Sequence, residues 1–214
     1  MKKRVPAIFK KNPLILISII SLILFLIILL DVLTTKQLIK LDYLIYKSIL
    51  NIQTPILTPA FILITNFGNT IPLIILTIIL SIFLLIRKKY SHLILLILSM
   101  SLGTILELSI KLLIHRLRPE QALINITRFS FPSGHATIAT IFFTILLYSL
   151  IENIKSKKVK IILTIAAIII ILLISFSRIY LGVHWFSDVL GGIILGILIN
   201  SSILLAIEMW YKKK

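Results

Sequence analysis

Three stretches of an otherwise apolar chain carry residues able to do chemistry. The first runs from Lys111 through Arg116 and Arg118 to Pro119. The second is Phe131, Pro132, Ser133, Gly134 and His135. The third runs from Ser177 and Arg178 through His184 to Asp188. Together they supply cations, a hydroxyl, two imidazoles and a carboxylate, which is an anion site combined with acid–base groups. A phosphate spreads its charge over several oxygens and is met best by fixed donors around it; the planar fork of a guanidinium engages two of those oxygens at once. Arg118 and Arg178 can clamp two sides, and Lys111 adds a point charge. Ser133 and Gly134 have the composition of a helix start. Ser133 is expected to cap that helix, and Gly134 to let the backbone N–H groups and the positive helix end approach an anion. His184 and Asp188 are four residues apart. On a helix they share a face, so the carboxylate can hold one imidazole nitrogen and leave the other to attack. His135 is then free to protonate a leaving oxygen. Because cationic side chains neutralise the phosphate, such a site needs no metal and no cofactor. The sequence contains no Cys, so thiol nucleophiles and Cys-ligated metals are excluded. No Walker A pattern is present.

The surroundings of these residues are set by composition. Of 214 residues, 59% are hydrophobic and 14% charged, with a mean hydropathy of +1.12. A soluble domain carries about 45–50% apolar and about 25% charged residues. The excess apolar side chains could not all be hidden in a core of this size, so the chain is expected to be a polytopic membrane protein. The formal net charge is +16. The basic residues sit mostly between apolar runs, where membrane topology accounts for them and nucleic acid does not.

The expected fold is all-α, one domain over residues 1–214, with six transmembrane helices. The apolar runs are Pro13–Leu33, Thr70–Ile86, Ser91–Ile114, Ala136–Ile151, Val159–Phe176 and Val189–Trp210. A span takes about 20 residues. The first run follows Lys2, Lys3 and Arg4 but is longer than a signal-peptide core of about 7–15 residues, so an uncleaved helix is expected. Between the first two runs, Leu38, Leu41, Leu44, Ile45, Ile49 and Ile52 recur at helical spacing, with Lys40, Asp42 and Lys47 between them. This predicts a short amphipathic helix on the membrane surface. Pro55 and Pro59 should break the chain after that helix. Residues 56–67 then form a short helix leading into the second span, with Gly68 and Asn69 as the turn. Six spans put both termini on one side, with Lys2, Lys3, Arg4, Lys10, Lys11, Arg87, Lys88, Lys89, Lys155, Lys157, Lys158, Lys160, Lys212, Lys213 and Lys214. Fewer basic residues fall on the other side: Lys36, Lys40, Lys47, Lys111, Arg116, Arg118, Arg128 and Arg178. The positive-inside rule then places both termini in the cytoplasm and the three polar clusters at the extracytoplasmic face of the cell membrane.

The clusters, in order, have the pattern K-x6-RP, PSGH and SR-x5-H-x3-D. In this the chain resembles the type 2 phosphatidic acid phosphatase superfamily, with motifs over residues 111–188 and the six-span layout extending the likeness across most of the chain. The resemblance implies a membrane lipid phosphatase. By position, His184 is the nucleophile that becomes a phosphohistidine, Asp188 orients it, and His135 is the general acid. Lys111, Arg118, Ser133, Gly134 and Arg178 bind the phosphoryl oxygens, and water hydrolyses the phosphoenzyme. The partners implied are the bilayer and a lipid phosphate: undecaprenyl diphosphate, phosphatidylglycerol phosphate or phosphatidic acid. The Ile/Lys bias and the small size favour a bacterial enzyme.

Other residues have plainer readings beside these. Arg116 either assists the phosphate or only sets topology. His115 has no motif role. Glu107 sits one turn before Lys111 in mid-span, where a buried acid is costly without a partner, and is read as a support for Lys111. Gly192 and Gly196 form a small-xxx-small pattern for close helix packing. Trp185, Trp210, Tyr180 and Tyr211 suit aromatic belts. A lipid phosphotransferase would use the same residues. A transporter or channel would spread polar groups along its spans, whereas here they gather at one depth. Vanadium haloperoxidases share the motifs but are soluble. Chemistry carried by side-chain cations predicts that phosphate release survives EDTA; a strict Mg²⁺ requirement in a phosphate-release assay would contradict it.

Overall fold

The computed structural model describes residues 11–35, 37–126 and 129–213. Of the basic residues that enter the topology, Lys2, Lys3, Arg4, Lys10, Lys36, Arg128 and Lys214 lie outside the described residues. Every regular element among the described residues is helical. The order is α1 (Lys11–Leu30), a π-helical turn (Asp31–Thr35), α2 (Gln37–Ile52), α3 (Leu57–Phe67), α4 (Thr70–Ile86), α5 (Tyr90–Ile114), α6 (Gly134–Ile151), α7 (Lys157–Tyr180) and α8 (Phe186–Lys213).

Five of these are long and apolar enough to cross a membrane: Asn12–Thr34, Tyr90–Ile114, Gly134–Ile151, Lys157–Tyr180 and Phe186–Lys212. α4 alone has 17 residues, a length of about 25 Å at about 1.5 Å per residue, short of a hydrocarbon core of about 30 Å. With α3 it forms a pair bent by 44° at Gly68 and Asn69, and taken as one span this pair makes six. Pro59 does not break the chain as the sequence suggests. It occupies the first turn of α3, where a backbone amide has no intrahelical partner to lose.

α8 runs against α1 on one side and α6 on the other. α6 is flanked also by α5 and α7, α3 lies on α7, and α2 crosses onto α7 and α8. Ile74, Ile75, Ile78 and Ile79 of α4, and Ile161, Ile165, Ile168 and Leu172 of α7, stay exposed, as side chains facing lipid should. Lipid is as apolar as leucine, so burial alone does not hold such helices together; close approach of small residues does. A Cβ on Gly192 would stand 2.6 Å from the Ser133 carbonyl oxygen, and one on Gly196 2.8 Å from Thr140 Cβ. The small-xxx-small pattern is thus an internal seam between α8 and α6.

The ends of α5, α6, α7 and α8 that bear the three polar clusters meet at one end of the bundle. At the opposite end Lys89 Nζ donates to Glu152 Oε2 at 2.8 Å and to the Ser149 carbonyl at 2.9 Å. Tyr180 departs from the aromatic-belt expectation. It is fully buried and stacks on Phe61 with centroids 4.0 Å apart. Its hydroxyl accepts the Thr54 N–H at 3.0 Å, so it fastens the α2–α3 linker to the end of α7.

The seam yields a graded expectation. Gly192→Ala sets a methyl against main chain that cannot rotate away, so α6 and α8 must part. It should cost about 1–3 kcal/mol, seen as a lowered thermal midpoint in detergent. Gly103→Ala, whose methyl first meets the movable Cδ1 of Ile141, should cost less.

Candidate active site

Asp188 lies in the first turn of α8 with no exposed surface. Its Oδ2 accepts the Trp185 N–H at 2.9 Å, one of the amides a helix start leaves unpaired, and faces His184 Nδ1 at 3.4 Å. Its Oδ1 accepts Arg116 Nη1 at 2.6 Å. Its carbonyl oxygen accepts the Ser133 N–H at 2.9 Å. One residue therefore touches all three sequence clusters.

His184 is not on α8, as its spacing from Asp188 suggests. It stands in the turn that joins α7 to α8, and the turn delivers the pairing. Gly182 permits that turn: its φ is +66°, and a Cβ there would lie 2.7 Å from the Gln121 carbonyl oxygen. His184 Nε2 is 3.2 Å from Arg118 Nη1. A guanidinium only donates, so Nε2 is the acceptor and the ring proton sits on Nδ1, toward Asp188. Burial first, and then the cations Arg118, Arg178 and Lys111, hold the imidazole well below its ordinary value. The site thus holds a neutral imidazole whose lone pair points at a cation. Arg118 is fixed by donating to the Val183 carbonyl and, through Nη2, to the Phe129 carbonyl at 3.0 Å.

Lys111 lies in the last turn of α5 with its Nζ 2.5 Å from Glu107 Oε2, both side chains buried. The Glu107 carboxylate also packs on the first residue of α6, since a Cβ on Gly134 would be 2.9 Å from Oε1. Arg178, near the end of α7, is 2% exposed; its Nη1 donates to Thr65 Oγ1 at 2.6 Å, and its Nε has no partner among the described residues. Ser133 precedes α6 in extended backbone but does not cap it. Its hydroxyl is buried and has no hydrogen-bond partner among the described residues. The helix start therefore keeps amides for another acceptor.

His135, in the first turn of α6, has Nε2 2.8 Å from Asn69 Oδ1. Asn69 in turn donates from Nδ2 to Asn66 Oδ1 at 3.0 Å. A Cβ on neighbouring Gly68 would be 2.9 Å from the His135 ring and 2.7 Å from Ile174 Cγ2, so the α3–α4 bend must be small to reach the histidine.

The structure thus gathers Lys111, Arg118, Ser133, Gly134, His135, Arg178, His184 and Asp188 at one place. Arg116 is held between two carboxylates. Besides Asp188 it donates to Ser187 Oγ at 2.7 Å and to Asp42 Oδ2 at 2.6 Å, beneath the Trp185 ring at 5.8 Å. His115 is the left-handed residue that closes α5, with φ 52°. Thr65 and Ser187 have no part in the sequence reading, and Asp42 and Asn69 enter it only as a residue of the amphipathic helix and of a turn. Only Asp42 carried a signal, an acid on the same helical stripe as Leu38, Ile45 and Ile49.

A family model described as the PAP2 superfamily matches residues 92–212. Phosphatidylglycerophosphatase B of Bacillus subtilis (strain 168) is 34% identical over 183 residues, covering 84% of this chain and 90% of the relative. The crystal structure of a transmembrane PAP2 type phosphatidylglycerolphosphate phosphatase from Bacillus subtilis superposes with a TM-score of 0.80 at 30% identity, over 92% of this chain and 96% of that one. Aquifex aeolicus LpxE gives 0.62 at 29% identity, over 77% and 94%.

The lowered basicity of His184 predicts that its ring stays uncharged in mild acid. An ordinary imidazole, near 6.5, would be mostly protonated at about pH 5.5. In ¹⁵N-histidine-labelled protein the His184 signals, assigned by their loss in His184→Ala, should not move between neutral pH and that value.

Proposed function

The chain belongs to the PAP2 superfamily, and we propose that it is a multi-pass membrane lipid phosphatase working through a phosphohistidine on His184. The observation that carries this is the neutral His184 ring, with Nδ1–H toward Asp188 and the Nε2 lone pair toward the cations.

In the proposed reaction a phosphoryl group takes Arg118, Arg178 and Lys111 as its donors, with the α6 amides and the Ser133 hydroxyl completing the cradle. Nε2 attacks phosphorus as the bond to the leaving oxygen breaks. Asp188 stabilises the positive charge that grows on the ring through Nδ1–H. His135, tethered by Asn69, gives a proton to the departing oxygen. Water then attacks the phosphohistidine; its proton passes to His135, and the N–P electron pair returns to Nε2. Glu107 holds Lys111. Side-chain cations supply the neutralising charge, so no metal enters any step.

The positive-inside rule supports cytoplasmic termini, because exposed Arg87, Lys88, Lys155, Lys157 and Lys158 lie at the end of the bundle opposite His184. The site then faces the extracytoplasmic side, and α2 lies along that interface. Phosphatidylglycerol phosphate is the leading substrate, because the similar Bacillus subtilis phosphatase is named for it; undecaprenyl diphosphate and phosphatidic acid are the alternatives.

The test is phosphate release by purified protein in detergent across these lipids. Phosphatidylglycerol phosphate should turn over fastest. His184→Ala should lose at least about a thousandfold in kcat, and His135→Ala about a hundredfold or more. Vanadate should inhibit. Wild-type turnover by the His184 variant would remove the nucleophile and with it the mechanism.

A further inference from the structure

We infer that Asp42, on α2, is a positioning residue that sets both the geometry and the charge of Asp188 through Arg116 and Ser187. This rests on the phosphohistidine reading above.

Asp42 is 1% exposed, although the helix that carries it has lysines and exposed leucines on its other faces. A carboxylate removed from water in this way persists only when its oxygens are satisfied. Here they are: Oδ2 accepts Arg116 Nη2 at 2.6 Å and the Ser187 hydroxyl at 2.5 Å, and Oδ1 accepts the Ser187 N–H at 2.8 Å. Ser187 immediately precedes Asp188, and Arg116 is the same guanidinium that donates Nη1 to Asp188 Oδ1. Asp42 therefore grips the first turn of α8 at its backbone and orients the cation that grips Asp188.

The grip acts in two ways. The first is geometric. A guanidinium anchored at one end can rotate about its bond to the other; anchored at both, it is fixed in plane, and the Asp188 carboxylate is fixed with it. The second is electrostatic. Arg116 alone would neutralise Asp188. Shared between Asp42 and Asp188, it leaves the three groups with one net negative charge. That uncompensated negative charge lies behind the Nδ1–H of His184 and stabilises the ring as it becomes cationic on phosphorylation. Asp42 makes no bond to Lys111, Arg118 or Arg178, so its loss should slow the chemical step and spare phosphate binding.

The experiment is a double-mutant cycle on the full chain in detergent with phosphatidylglycerol phosphate. The variants are Asp42→Asn, Arg116→Gln and the pair, with vanadate inhibition, thermal midpoint and a His184→Ala control. Asp42→Asn should lower kcat by about tenfold to a hundredfold while KM and the vanadate constant change by less than about threefold. In the Arg116→Gln background it should add only part of the loss it causes alone, because the route through Arg116 is cut and the grip on Ser187 is what remains. A wild-type kcat in Asp42→Asn, or a loss that multiplies in full with that of Arg116→Gln, overturns the inference. So does a fall in kcat and KM affinity together with the thermal midpoint, the signature of a structural role alone. If Asp42→Asn does not fold, Ser187→Ala releases part of the grip and keeps the ion pairs; it should lower kcat by several-fold at constant KM, and an unchanged kcat there is equally fatal. An active His184→Ala protein would sink the underlying mechanism; an inactive one beside a fully active Asp42→Asn would sink this inference alone.

Discussion

A carboxylate with no water around it must find donors in the protein, and at Asp188 that requirement pulls the site together. Its two oxygens and its carbonyl take an arginine from the segment after α5, an amide and an imidazole from the turn before α8, and an amide from the start of α6. These segments are distant in sequence. Leaving any one of the donors out would strand a charge or a polar group where restoring hydration is costly. The convergence of the three clusters is therefore tied to the energetics of burying one acid.

The rest of the bundle makes that burial affordable. Along α4 and α7 the exposed isoleucines have the same company in lipid folded or apart, and they decide little about which helix meets which. The α6–α8 seam decides more, because glycine lets the main chain of Ser133 and the side chain of Thr140 lie against α8. That close approach also brings the Ser133 amide to Asp188. Seam and site are one construction: a change of a few tenths of an ångström in the first is a change in the second.

The motif residues were legible because their chemistry is unusual in apolar sequence and their gaps are fixed. Lys111, Arg118, His135, His184 and Asp188 stand out against the apolar runs on either side of them. The helices were legible for the same reason in reverse, as long uninterrupted apolar runs. The supports were not. Thr65 and Asn69 come from α3 and the α3–α4 bend, are common polar types, and gain meaning only when folding sets them beside Arg178 and His135. Asp42 is visible as an acid set with Lys40 and Lys47 between apolar positions, and its burial is not, because helical periodicity tells which residues share a stripe and not whether that stripe meets lipid, water or protein. Tyr180 and the hydroxyl of Ser133 were misplaced on the same ground: a tyrosine near a helix end suits an interface belt, and a serine before a helix suits a cap, until packing assigns each another neighbour. The tie of Arg116 to Asp42 and Asp188 was not legible either, since a guanidinium shared between acids of α2 and α8 leaves no trace in the residues adjacent to it.

The cations around His184 set up a tension that the proposed chemistry resolves. Arg118, Arg178 and Lys111 depress the basicity of the ring, and a less basic nitrogen is a poorer nucleophile. With the site unliganded this keeps the ring neutral, its lone pair held by Arg118. A phosphoryl group arriving with its negative oxygens answers those same cations, and the field they exert on the ring falls as it binds. The Arg118 donor turns to a phosphoryl oxygen, and Nε2 is released facing phosphorus. In that scheme the substrate raises the basicity of its own nucleophile, while Asp188, its charge only partly compensated by a guanidinium divided between two acids, waits on the far side of the ring for the charge that the new N–P bond creates.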